Sequence, residues 1–182
     1  MKKEEKQNSK SNITLSIDHN ILDEIKKDSV MQNLSLNAKV NAILAKWVSF
    51  YRIAEDLECS MIPSKSWASM IDLMDETKLL NILNNEGITT MYSMFIHNNT
   101  PLTLNSVIKY CFQEMALWSG MYSTFRQFDN HNHIDLIFEH KYGIKWSKIL
   151  ENAFTNIIRI MLDHTTESEI LPYTVKIKVL KK

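Results

Sequence analysis

The segment Asn12-Ile13-Thr14-Leu15-Ser16-Ile17-Asp18 alternates polar and apolar residues with period two, and neither Gly nor Pro interrupts it. It predicts a β-strand with Ile13, Leu15 and Ile17 on one face and Asn12, Thr14 and Ser16 on the other. Two helices are expected after it. Asp18 is placed to N-cap a helix carrying Ile21, Leu22, Ile25 and Ser29, which should stop near Gln32, because Asn33 tolerates the left-handed conformation that ends helices. Ser35 is then the N-cap of a second helix, whose apolar residues Val40, Ile43, Leu44, Trp47, Val48 and Tyr51 recur at helical spacing. A lone strand and two amphipathic helices in about 45 residues can neither pair the strand's backbone nor bury both apolar faces. A second copy solves both problems, by pairing the strands antiparallel across a two-fold axis above four helices.

The rest of the chain gives that unit its context. There are 182 residues, with 21 Lys plus Arg against 21 Asp plus Glu, so a uniformly basic coat is excluded. The balance is uneven, however: nine basic against six acidic residues in positions 1 to 52, two against seven in 53 to 101, and ten against eight beyond. A basic N-terminal unit followed by an acidic stretch is expected if only the first part faces a polyanion. With 3 Gly and 3 Pro, the Gly-rich loops that cradle phosphates have little material to form from. Cys59 and Cys111 suggest neither a disulfide framework nor a zinc ribbon and read as buried apolar residues in a reducing interior. Positions 1 to 10 read as a flexible basic arm without the apolar run of a signal peptide, and no stretch is long enough for a membrane span. The expected location is cytoplasmic.

Residues 11 to 52 resemble the ribbon-helix-helix DNA-binding proteins in the alternating strand, the short helix with Leu22, Ile25 and Ser29, the turn Asn33-Leu34-Ser35 and the helix with Val40 and Ile43. Family members usually have Gly at the position of Asn33 and often Arg or Lys at those of Asn12, Thr14 and Ser16. The resemblance implies a homodimer that inserts its two-stranded ribbon into the major groove of double-stranded DNA. Carried over by position, Asn12, Thr14 and Ser16 become the base contacts. The start of the second helix, at Ser35, Leu36 and Asn37, offers N–H groups and a positive dipole end to a phosphate, joined by Lys10 and its arm. The N-terminal unit is expected to span residues 11 to 57.

Residues 58 to 182 predict an α+β domain that senses an effector or organises higher oligomers. Pro63 marks the boundary; helices are expected over 65 to 74 and 75 to 84, the latter N-capped by Asp75 and followed by Gly87. Positions 88 to 96 fit either a helix or a strand. A helix with Val107, Ile108, Cys111, Met115 and Trp118 runs to Gly120. Strand-like runs at 121 to 128 and 133 to 140 flank the turn Asp129-Asn130-His131-Asn132, a helix covers 146 to 162, and Tyr173 to Leu180 alternates as a strand. The expected sheet is small, antiparallel or mixed, with helices on one face.

Within this domain His140-Lys141-Tyr142-Gly143-Ile144-Lys145-Trp146-Ser147 resembles a signature of poorly characterised archaeal proteins with an N-terminal ribbon-helix-helix unit. His140 and Lys145 beside a helix start make a candidate anion pocket, although Gly143 forming a turn and Trp146 entering the core is the plainer account. His131 and His133 flank one residue, a pattern that in a turn reads as solvated histidine rather than a metal site. Neither a metal nor another cofactor is expected, and no nucleophile-and-base signature points to an enzyme. The overall expectation is a sequence-specific transcriptional regulator. An antitoxin-like protein-interaction module is the alternative.

Overall fold

The computed structural model describes residues 11–97 and 99–182. It has two compact units, Met1–Ala45 and Lys46–Lys182.

In the first unit, residues 11 to 18 form no strand in the single chain. A strand exists only where a neighbour supplies hydrogen-bond partners, and one copy of this unit has none to give. Helix α1 (His19–Met31) begins after Asp18, which occupies the N-cap position without a side-chain bond to the first turn. It ends in a Schellman turn: Asn33 adopts φ 53°, Leu34 N–H donates to the Ser29 carbonyl and Asn33 N–H to that of Val30. Ser35 then caps α2 (Leu36–Lys46), its Oγ accepting from Ala38 N–H at 3.2 Å.

The second unit is α+β. A π-helical segment, Trp47–Tyr51, leads into α3 (Arg52–Asp56); α4 (Ser64–Leu73), α5 (Glu76–His97) and the short α6 (Leu104–Ser106) come after it, and α6 opens a π-helical stretch, Val107–Ala116. Strands β1 (Thr124–Asp129) and β2 (His133–Glu139) form the expected hairpin, α7 (Gly143–Leu162) crosses, and β3 (Thr166–Leu171) and β4 (Thr174–Leu180) close a four-stranded sheet in the order β1-β2-β4-β3. Every pairing is antiparallel, with Leu136 opposite Ile177 at the centre. Ile134, Leu136 and Phe138 of β2 and Val175, Ile177 and Val179 of β4 are buried, and α7 buries Trp146, Ile149, Leu150, Phe154, Ile157 and Ile158. Phe112, Phe138 and Phe154 pack edge-to-face or tilted at centroid distances of 4.7 to 5.5 Å where the π-helical stretch, sheet and α7 meet. On the opposite face the sheet is polar and laced by Lys176–Glu169 and Lys178–Glu167 pairs.

Several expectations are corrected. Gly87 does not end α5, which runs on to His97 and buries Met94 and Phe95. The apolar face of 88 to 95 outweighs the modest helix penalty of one glycine, and the stop comes instead at left-handed Asn99, with Thr100 N–H on the Phe95 carbonyl. Strand β3 is absent from the sequence-based expectation, and Cys59 is exposed rather than buried, because it comes after the left-handed Glu58 that ends α3. The first compact unit ends at Ala45, and in the second Phe50 and Ile53 are buried in the core with Ala54 and Leu57 packed against it.

Candidate nucleic-acid interface

Asn12, Thr14 and Ser16 are all exposed, and none has a hydrogen-bond partner among the described residues, so their amide and hydroxyl groups are free to meet a ligand. The residues alternating with them are unprotected: Ile13 is 68% and Leu15 51% exposed. Ile21, Leu34, Ile43 and Leu44 are exposed as well, and Ser29 is the only described residue of this unit that is buried. An apolar set of this size facing water has not found its packing partner within the unit.

The phosphate-contact candidates separate into three kinds. Leu36 and Asn37 stand in the first turn of α2, and their backbone N–H groups have no acceptor among the described residues. Ser35, by contrast, spends its hydroxyl on Ala38 N–H and its carbonyl on Lys39 N–H. Lys10 lies outside the described residues.

Electrostatics narrows the picture further. Every lysine from residue 11 to residue 45 is already in an ion pair: Lys26 with Asp23 at 3.4 Å, Lys27 with Glu24 at 2.6 Å and Lys39 with Asp28 at 3.2 Å. The Glu24 carboxylate raises the Lys27 ammonium above its ordinary value. Between residues 11 and 45 the three lysines are outnumbered by Asp18, Asp23, Glu24 and Asp28, so the net positive charge of the first 52 residues lies outside that stretch. Lys46 lies over the Tyr51 and Trp118 rings at 5.1 and 5.5 Å, a cation–π placement that leaves its charge intact.

In the second unit the structure does not join His140 and Lys145 into an anion pocket. Lys145 Nζ donates to the Asp72 carbonyl at 3.2 Å and to that of Met74, closing the C-terminal end of α4. His140 is buried and engaged at both ring nitrogens. Nδ1 accepts from Tyr142 N–H at 3.2 Å, so Nε2 carries the proton and donates to Ser147 Oγ at 2.8 Å, and Ser147 in turn donates to the Leu171 carbonyl at 2.6 Å. The Ser–His distance resembles that of a nucleophile and its base, but the proton directions are opposite. With Nε2 donating, the imidazole cannot accept the serine proton. Burial also lowers the His140 pKa to about 4, which keeps the ring neutral, as its accepting Nδ1 requires.

Gly143 takes φ 82° at the turn into α7, and Trp146 is fully buried with its Nε1 donating to the Met121 carbonyl. A cavity of about 160 Å³ nearby is lined by Ser64, Gly120, Tyr122, Ser123, Lys141 and Tyr142; neither His140 nor Lys145 contributes to it. Burial pushes the Cys111 thiol up to about 12, leaving it an inert core residue. His133 bonds Asp135 at 3.1 Å and Asn130 at 3.1 Å, and no group of three or more metal-ligating side chains occurs among the described residues. No described helix is long and apolar enough to cross a membrane.

Two polar devices have little signature in the sequence. One is the His140–Ser147–Leu171 relay, for which the spacing of His140 and Ser147 around a helix start is the only available signal. The other is a ladder between α5 and α7, in which Asn84 bonds Asn152 at 2.8 Å and Asn156 at 2.9 Å. Its signal is Asn152 and Asn156 four apart on one helix face. No protein-family model matches the sequence, and no curated protein matches it significantly.

Proposed function

We propose that this chain is a dimeric, sequence-specific DNA-binding regulator whose two N-terminal segments pair as a β-ribbon in the major groove, with the second unit as a sensing or oligomerisation domain. The observation that carries the reading is the incompleteness of the first unit. Its period-two segment is unpaired, its alternating Ile13 and Leu15 are exposed, and its hydrophobic helix residues lack a core. A two-fold copy gives the segment its hydrogen-bond partner and covers Ile13, Leu15, Ile43 and Leu44 together. Asn12, Thr14 and Ser16 then share the outer face, where base edges are read. Leu36 and Asn37 N–H groups and the basic arm hold phosphates.

The test is a mass measurement by light scattering at micromolar protein, paired with DNA binding on the same samples. The parent is expected to be dimeric or larger and to bind duplex DNA. Leu15→Asp should be monomeric and fail to bind, while the second unit keeps its fold. A parent chain that stays monomeric across this range sinks the ribbon reading.

A further inference from the structure

We infer that the base pairs met by this ribbon are A·T pairs, with Asn12 on adenine and Thr14 against the thymine methyl; this rests on the ribbon reading. Asn12, Thr14 and Ser16, which the ribbon reading turns outward, are exposed and unpartnered among the described residues, so on that reading base recognition falls on an amide and two hydroxyls. The Asn12 amide presents one donor and one acceptor side by side, which matches adenine N6–H and N7. Guanine presents two acceptors, O6 and N7. Against it, the Asn12 carbonyl oxygen would face O6, and the face has no Arg or Lys to supply paired donors. The described lysines of the unit cannot easily take over, since each is paired with a carboxylate. Cytosine offers its N4 donor to a carboxylate, and none stands at positions 12, 14 or 16.

Thr14 adds the second element of recognition, because its methyl packs on the C5-methyl of thymine while its hydroxyl reaches O4. Ser16 pairs with either base and contributes little discrimination. A strand advances about 3.4 Å per residue, close to the roughly 3.4 Å rise of duplex DNA. Neighbouring outward residues therefore meet base pairs two steps apart. The two-fold axis repeats the pattern, giving a palindromic site with A·T pairs at alternate positions in each half.

The experiment uses the full chain and selection from a random duplex library, followed by titration of the enriched site. The parent should enrich palindromes with A·T at the read positions. Replacing the read adenine by 7-deazaadenine, which lacks N7, should weaken the parent while leaving Asn12→Ala unaffected. Replacing thymine by uracil should weaken the parent but not Thr14→Ser. Asn12→Ala should lose roughly 5- to 150-fold in discrimination at its base pair, and Asn12→Arg should move that position to G·C, both with unchanged melting temperature. Enrichment of G·C at the read positions, or binding indifferent to 7-deazaadenine, overturns the inference and leaves the regulator reading standing. Absence of any enriched site overturns both.

Discussion

Replacing Ser147 by Ala tests the buried relay directly. Ser147 Oγ accepts from His140 Nε2 at 2.8 Å and donates to the Leu171 carbonyl at 2.6 Å, and Ala removes both bonds without adding volume. The imidazole N–H is then stranded in a buried site at a cost of about 1 to 3 kcal/mol. Leu171 is partly exposed, so its carbonyl recovers water, and losing that bond costs about 0.5 kcal/mol. The expected loss is therefore about 1.5 to 3.5 kcal/mol. Urea unfolding followed by tryptophan fluorescence is the suitable assay, because Trp47, Trp67, Trp118 and Trp146 all belong to the second unit and report on it alone. The parent should also show an acid slope. Unfolded chain takes up a proton on His140 near its ordinary value of 6.5, whereas the folded chain resists until about 4. Stability from this group is thus intact above pH 6.5 and declines as pH falls toward 4, by about 3 kcal/mol at most. His140→Gln should remove that slope. A Ser147→Ala midpoint indistinguishable from the parent, or a nitrogen NMR spectrum showing the proton on Nδ1, would refute the relay.

Three further outcomes are expected. Lys145→Met leaves the Asp72 and Met74 carbonyls without their ammonium donor, and fluorescence-detected urea unfolding should show a loss of about 1 kcal/mol. Asn84→Leu removes both the donor to Asn152 and the acceptor for Asn156. It should cost about 1 to 3 kcal/mol in the same assay, and Asn152→Leu and Asn156→Leu combined with it should recover part of that loss, since an apolar replacement strands no polar group. Asn33→Gly relieves a side chain held at φ 53° and should stabilise the first unit by about 0.5 kcal/mol, seen as a higher melting temperature in circular dichroism.

The parts of the fold legible in the sequence are those set by local chemistry. Asn33 stops α1 and Ser35 starts α2, as their backbone preferences require; Asp75 accepts from Lys78 N–H at the head of α5; and the Asp129 to Asn132 turn joins β1 to β2. The misreadings arise where tertiary packing outweighs a local signal. Gly87 looks like a stop, yet Met94 and Phe95 draw the helix past it into the core. Strand β3 is hard to see because Thr166-Glu167-Ser168-Glu169 carries charge on an edge strand, where pairing to β4 and the Lys176 and Lys178 side chains supply what hydrophobicity does not. The candidate base contacts rest on an alternation in the sequence that the single chain does not turn into a strand. The partners of His140 and Lys145 are not legible, because proximity in sequence carries no information about which carbonyl a long lysine side chain will reach.

The two units differ in where their apolar side chains lie, and the difference bears on how the proposed regulator would respond to DNA. Among the described residues every buried hydrophobic side chain lies at Phe50 or beyond, so the second unit's stability is a property of one chain. The first unit has exposed Ile13, Leu15, Ile43 and Leu44 instead; on the proposed dimer, its order would depend on a second copy and hence on concentration. If a duplex binds only the paired ribbon, it would draw on the same equilibrium: DNA would tighten the dimer, and by linkage dimerisation would tighten DNA binding by the same factor. On the proposed reading the base-facing residues carry no charge, and the basic arm would supply much of the electrostatic part of that affinity. Reading and holding would then be carried by different residues, and salt should weaken the second while leaving the preference among sequences largely intact.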